Sequence, residues 1–280
     1  MKFLYAVPVL ASLALLTPAL AKDWKNVTIT LEGAYAPWNL TNPDGSLGGF
    51  EPALAKVLCE SMKVQCTLVA SPWDGMIPAL NAGQFDVIMD ALAITEERKQ
   101  TIDFSIPYAA SPAAFATSKD GPLANIAGTG STIMMNEGQK DVAEIKQLRD
   151  VLAGKTIGIM AATAYATFIY DNFGDIATIR EYKSGPDRDI DLSTGRIDVG
   201  FDDAVYFTSA FDAAKGSLVF TGPTIAGPIW GEGWALGLRK SDSDLRDMFT
   251  KAIQSTLDDG TVKKLSLEYL KTDVTPAAVN

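Results

Sequence analysis

One eleven-residue pattern of this chain occurs twice. Leu80-Asn-Ala-Gly-Gln-Phe-Asp-Val-Ile-Met-Asp90 and Leu192-Ser-Thr-Gly-Arg-Ile-Asp-Val-Gly-Phe-Asp202 share one order: helix end, glycine stop, apolar strand, closing aspartate. A weaker pair precedes each of them, Ala34-Tyr35-Ala36 and Ala164-Tyr165-Ala166, both following a strand-like run. Two repeats in the same order predict two α/β units built to one plan. The intervening segments agree. Val27 to Leu31 alternates β-branched residues, and Glu51-Pro52 opens a helix whose Phe50, Leu54, Val57, Leu58 and Met62 fall at near-helical spacing. Cys66 to Ala70 reads as a strand, Asp74 as the cap of a helix ending at Asn81, and Phe85 to Met89 as a strand. Alternation of this kind argues for mainly parallel sheets flanked by helices. Ligands of open α/β sheets bind beyond the carboxyl ends of the strands. Two such units face to face would set Glu32, Tyr35 and Asp90 against Thr163, Asp202 and Asp203, which makes a cleft between domains.

Residues 1–21 have the form of a signal peptide: Lys2, an apolar run from Phe3 to Leu16, then Ala19-Leu20-Ala21 as a small-x-small cleavage site. The run is shorter and more broken than a bilayer span of about 20 residues requires. Export places the remaining 259 or so residues in an oxidising compartment, where the even pair Cys59 and Cys66 is compatible with one disulfide clipping a helix end to the next strand. Formal net charge is −10, or −11 without Lys2, which disfavours nucleic acid and anionic membrane as partners. The chain has no histidine, so Ser-His-Asp and Cys-His nucleophilic sites and His-ligated metal centres are excluded. Gly154-Lys155-Thr156 ends like a phosphate loop, but Arg149 stands where its first glycine belongs. No cofactor is expected.

The ordered motifs Glu32-Gly-Ala-Tyr-Ala-Pro-Trp38, Gly49-Phe50-Glu51, Trp73-Asp74-Gly-Met-Ile-Pro78, Ala93-Ile-Thr-x-x-Arg98, Asp103-Phe-Ser-x-Pro-Tyr108 and Gly237-Leu-Arg-Lys240 resemble those of the family 3 bacterial extracellular solute-binding proteins. The likeness runs over essentially the whole exported chain. Ala-Pro-Trp38 and the long 118–154 segment look most like the opine-binding branch for octopine and nopaline. The resemblance implies a type II periplasmic-binding-protein fold of two lobes with a two-crossing hinge. It also implies closure around a small amino-acid-like ligand, delivery to an inner-membrane ABC permease, a monomeric state, and the Cys59–Cys66 disulfide.

Read on its own, Arg98 is a surface arginine pairing with Glu96 or Asp103. The resemblance reverses this and makes it a bidentate clamp on the ligand α-carboxylate, a task that suits the planar guanidinium. Asp203 matches the family aspartate that accepts the α-ammonium, with Asp202 facing away. Tyr35 and Trp73 match an aromatic pair that sandwiches the ligand stem; Trp38, Trp230 and Trp234 read as structural. Glu32 matches an acidic residue at the far end of the ligand. Asp90 departs from the pattern, because relatives carry a small residue at that strand end. A carboxylate closing an apolar strand needs a cation, donors or a shifted pKa. Glu32 with Asp90 therefore points to a cationic or hydroxyl-rich ligand end. Ala91 and Ala93 stand where many amino-acid binders have serine. Met160-Ala-Ala-Thr-Ala-Tyr165 replaces a Gln-Gly-Ser-Thr type run, leaving Thr163 as one hydroxyl contact and Met160 and Ala164 as apolar lining.

The expected organisation is a signal peptide at 1–21, lobe 1 over 22–115, lobe 2 over 116–220 with an inserted segment at about 118–154, and a return to lobe 1 over 221–280. Two further readings stay open at this level: an enzyme on the same fold, resembling cyclohexadienyl dehydratase, with Glu32 or Asp90 as general acid or base, and a receptor that signals without transport.

Overall fold

The structure, a computed structural model, describes residues 22, 24–136, 138–139 and 142–277. The expected signal peptide and its cleavage site after Ala21 lie outside the described residues. No helix among the described residues is long and apolar enough to cross a membrane.

Two sheets carry the architecture. In the first, strands run in the order Gln65–Ala70, Asn26–Leu31, Val87–Ile88, Gly237–Leu238, Asp103–Phe104. In the second, the order is Thr178–Tyr182, Thr156–Met160, Val199–Asp203, Ala113–Ser118, Leu218–Ala226, Thr132–Met134. Each sheet opens with three parallel strands, the chain-first strand in the middle, followed by an antiparallel strand. The repeat in the sequence is thus a repeat in topology. Its glycines, Gly83 and Gly195, adopt φ of 76° and 71° just beyond the helices Met76–Asn81 and Gly185–Ser193. There only a residue without Cβ turns freely.

Several local expectations shift. Asp74 caps nothing: a 3-10 turn, Trp73–Gly75, runs into the helix Met76–Asn81, whose N-cap is Gly75. The expected domain crossings at 115/116 and 220/221 fall inside strands. Ala113 pairs with both Asp203 and Ile225, so Ala113–Ser118 and Leu218–Ala226 belong whole to the second sheet. The chain therefore crosses between lobes before Ala113 and after Ala226. The two crossings lie side by side, tied by Tyr108 N–H to Trp234 C=O and Trp234 N–H to Ala109 C=O, each 2.8 Å. The 118–154 segment is built into lobe 2. Its strand Thr132–Met134 edges the second sheet, and Leu123, Ile133, Ile145, Leu148 and Leu152 are buried in that lobe's core.

The helix Phe50–Met62 buries Phe50, Leu54 and Leu58 and stops at Lys63, which takes the left-handed conformation with φ 57°. The disulfide Cys59–Cys66 then fastens this helix end to strand Gln65–Ala70. The bridge closes a loop with a sequence separation of 7. Loop-closure entropy for so short a loop gives about 2–3 kcal/mol. The Cys59→Ser/Cys66→Ser double variant should melt several degrees lower by calorimetry; an unchanged midpoint would mean that the bridge contributes nothing to stability.

Candidate functional site

A cavity of about 500 Å3, counting its open mouth, lies between the lobes. Every residue expected at the site lines it except Asp203: Glu32, Tyr35, Trp73, Asp90, Ala91, Ala93, Arg98, Met160, Thr163 and Ala164 are all in its wall. Both members of each sequence repeat are there too, Asp90 with Asp202 and Tyr35 with Tyr165.

Arg98 sits in the short helix Glu96–Lys99, whose start is fixed by Thr95 Oγ1 accepting from the Arg98 N–H at 3.2 Å. Its guanidinium donates to Ala93 O at 2.9 Å and, across the cleft, to Ala162 O at 3.1 Å. The surface pairs suggested for it do not form: Glu96 is taken by Lys99 and Asp103 by Arg246. Its partners are neutral carbonyls, and burial pulls its pKa down to about 10. It stays protonated at neutral pH with no ion pair among the described residues, the Glu97 charge partly offsetting burial. Beside it is the start of helix Ala164–Phe173. The N–H groups of Ala164 and Tyr165, in the first turn of that helix, have no intrahelical acceptor. A guanidinium and a helix N-terminus in one wall form a site for an anion. Thr163, expected to offer a hydroxyl contact, lines the cavity with its hydroxyl already engaged in the backbone. Its proton goes to Met160 O at 2.9 Å, and its oxygen caps the helix through Ala166 N–H at 3.0 Å.

The carboxylates form the other part of the wall. Glu32 is half-buried at the end of strand Asn26–Leu31, and burial, then the charges of Asp90, Asp202 and Asp187, push its pKa up to about 8. Asp90 is 4 % exposed. One of its oxygens accepts from Asn39 Nδ2 at 2.6 Å, and the other has no partner. A buried acceptor without a donor is costly, by roughly 1–3 kcal/mol and more when charged, so Asp90 has capacity for a ligand donor. Both oxygens of Asp202 are already engaged. It accepts from Tyr35 Oη at 2.5 Å and Asp203 N–H at 2.8 Å, and its second oxygen is paired with Arg188.

Asp203, expected at the ligand ammonium, does not line the cavity. It is fully buried; one oxygen accepts from Trp38 Nε1 at 2.9 Å and caps helix Ala204–Ala213 through Tyr206 N–H at 2.8 Å, and the other accepts no hydrogen bond among the described residues. Both aspartates accept from lobe 1, Asp202 from Tyr35 and Asp203 from Trp38, but of the two Asp202 is the one in the cavity wall. Trp230 and Trp234, expected to be structural, line the cavity as well. The returning crossing carries them there through a tight approach: a Cβ on Gly231 would stand 2.1 Å from Ile94 O. That glycine, between two tryptophans, was the available signal. Tyr35 and Trp73 do both reach the cavity, but Tyr35 already stacks on Tyr206 at 4.6 Å and Trp73 lies 5.3 Å from the Arg98 guanidinium. Trp73 also donates across the cleft to Ala161 O at 3.1 Å. These contacts join the lobes, and the cleft is closed.

Two α/β lobes joined by paired crossings and closed on a cavity with a cationic clamp, carboxylates and aromatic walls define a solute-binding protein of type II architecture. The chain belongs to the bacterial extracellular solute-binding proteins, family 3, whose family model matches residues 27–272. It is 40% identical to the octopine-binding periplasmic protein of Rhizobium meliloti, over 95% of this chain and 97% of that one. It is 34% identical to the L-arginine-binding protein of Pseudomonas aeruginosa, over 98% of each. Among solved structures, a periplasmic His/Glu/Gln/Arg/opine family-binding protein from Silicibacter pomeroyi in complex with lysine superposes with a TM-score of 0.72 at 28% identity, covering 91% of this chain and all of that one.

Proposed function

We propose that this protein captures an amino-acid-derived molecule in the periplasm and passes it to an ABC permease, and that the ligand carries a carboxylate and a separate cationic group. The observation that carries the reading is the pairing of opposites in one cavity. Among the described residues Arg98 makes no ion pair, and Asp90 has a buried oxygen with no donor. The ligand carboxylate goes to Arg98 and the Ala164 helix start. Its cation goes to Asp90 and Glu32, and its stem lies along Tyr35, Trp73 and the two tryptophans of the returning crossing. Contacts with both lobes at once are what would make the ligand favour the closed state. The names of the octopine- and L-arginine-binding relatives support this choice, since both ligands join carboxylates to a guanidinium.

A thermal-shift screen with octopine, L-arginine, L-lysine, L-ornithine and L-histidine tests it. A ligand at about 100-fold its Kd adds about 2.7 kcal/mol and raises the midpoint by roughly 5–10 °C. If none of the five shifts the protein, the ligand class is wrong. Asp90→Ala should weaken the best of them at least tenfold by calorimetry; unchanged affinity would remove Asp90 from the site. We read the protein as a carrier. The raised pKa of Glu32 favours one rival, a general acid in an enzyme on this fold. Recovery of the bound ligand unaltered, by mass spectrometry after long incubation, separates the two.

A further inference from the structure

We propose that Glu51, which does not line the cavity, governs the charge of the ligand group accepted by Asp90: Glu51 and Asp90, bridged by Asn39, share one proton in the ligand-free protein, and a cationic ligand end displaces it. The proposal rests on the ligand reading above and adds residues behind the cavity wall to it.

The bridge is a single buried amide. Asn39 Oδ1 accepts from Gly33 N–H at 2.7 Å, which fixes the amide orientation. Its amino group then gives one hydrogen to Glu51 Oε2 and one to Asp90 Oδ1, each at 2.6 Å. Glu51 Oε1 accepts from Ala91 N–H at 2.7 Å and from Tyr108 Oη. Ala91 holds this N–H in place with the left-handed φ of 44°. Glu51 is fully buried and is met by neutral donors alone. Neither carboxyl makes an ion pair among the described residues.

Two carboxyls on one nitrogen, away from water, do not both ionise without a counter-charge. The groups that face the pair do not provide one. Glu32 lies at the neighbouring strand end, Tyr108 on the first crossing, and Asp202 and Asp187 face Glu32 from the other lobe. All are acidic or neutral. Arg98, in the same cavity, is engaged with Ala93 and Ala162. Burial, and for Glu51 also the charge of Asp90, accordingly raises Glu51 to about 8 and Asp90 to about 7. The free Asp90 oxygen, beside Glu32 in the cavity wall, is where a cation can enter. When it does, the carboxyl O–H breaks, the proton leaves to buffer, and the ligand's positive charge balances the second carboxylate.

The test is calorimetry of L-arginine, and of its uncharged isostere L-citrulline, in buffers of different ionisation enthalpy. Between about pH 6 and 8 arginine should release protons, approaching one per ligand at the acid end, and its Kd should fall by up to about tenfold per pH unit. Citrulline should release none. Glu51→Gln should flatten the arginine pH slope. Asp90→Asn should abolish it and bring arginine and citrulline to similar affinity. A 13C NMR titration of the side-chain carboxyls in ligand-free protein should find a proton held near neutrality, and both single variants should lose it. Ordinary carboxylate titration of both groups, or the same pH slope in wild type and Glu51→Gln, overturns the proposal. Failure of arginine and octopine to bind at all defeats the ligand reading instead; the NMR titration, which needs no ligand, tells the two failures apart.

Discussion

Arg98→Ala is expected to weaken capture of L-arginine or octopine by roughly 30-fold to several thousand-fold. Removing one partner of a buried, hydrogen-bonded charge pair typically forfeits about 2–5 kcal/mol. The fold should be indifferent. With the cleft closed as in this structure, Arg98 contributes two bonds to carbonyls, at Ala93 and Ala162, and both compete with loss of its hydration. The melting midpoint of Arg98→Ala should therefore stay within a degree or two of wild type. Arg98→Lys keeps the charge but loses the fork, and should recover only part of the affinity. Calorimetry against both ligands checks this, and wild-type affinity in Arg98→Ala would refute the carboxylate clamp.

The largest stability effect should come from the other buried arginine. Arg188 is fully buried in lobe 2, yet it binds Asp189 at 2.9 Å, Asp202, and the Phe201 carbonyl at 3.3 Å. The rings of Phe207 and Tyr206 lie 4.7 Å and 5.3 Å from its guanidinium. Burial works against its charge, but Asp189 and Asp202 outweigh that and leave its pKa above the ordinary arginine value. Its stem has room because two glycines lie beside it. A Cβ on Gly158 would meet Arg188 Cγ at 3.0 Å, and one on Gly200 would meet its Nε at 3.3 Å. The same two glycines face each other in the parallel register of the second sheet. Arg188→Ala leaves Asp202 buried and unpaired, and should remove about 3–5 kcal/mol, lowering the midpoint by roughly 10 °C. Asp202 also holds Tyr35 across the cleft, so the variant should close less readily as well. Restoration of stability in Arg188→Met/Asp202→Asn, relative to Arg188→Met alone, would show that the uncompensated charge is the cause; a loss independent of Asp202 would point to packing instead.

Much of this site is legible in the sequence. Arg98, Glu32, Tyr35, Trp73 and Asp90 stand in ordered motifs. The repeat alone pairs Asp90 with Asp202 and Tyr35 with Tyr165, all four of which line the cavity. At Asp203 motif likeness matches a position but does not show which of two adjacent aspartates reaches the cavity wall. Glu51 stands in the Gly49-Phe50-Glu51 motif, but its pairing with Asn39 and Asp90 is not legible there. Asn39 sits in an Asn-Leu-Thr triplet that reads as a surface sequon, and Glu51 in a first helical turn reads as an exposed residue favoured by the helix dipole. Both are fully buried.

The duplicated α/β plan, the polar character of the strand ends and the cysteine pair are properties of short segments. Periodicity, glycine stops and spacing therefore determined them from sequence alone. What remained depended on residues far apart in the chain that meet only when the lobes dock. Whether Asp202 or Asp203 lines the cavity, the arrival of Trp230 and Trp234 on the returning crossing, and the Glu51–Asn39–Asp90 bridge were decided by the tertiary structure. The physical reason is that burial and unpaired charge are set by what packs against a residue, and no local pattern carries that information.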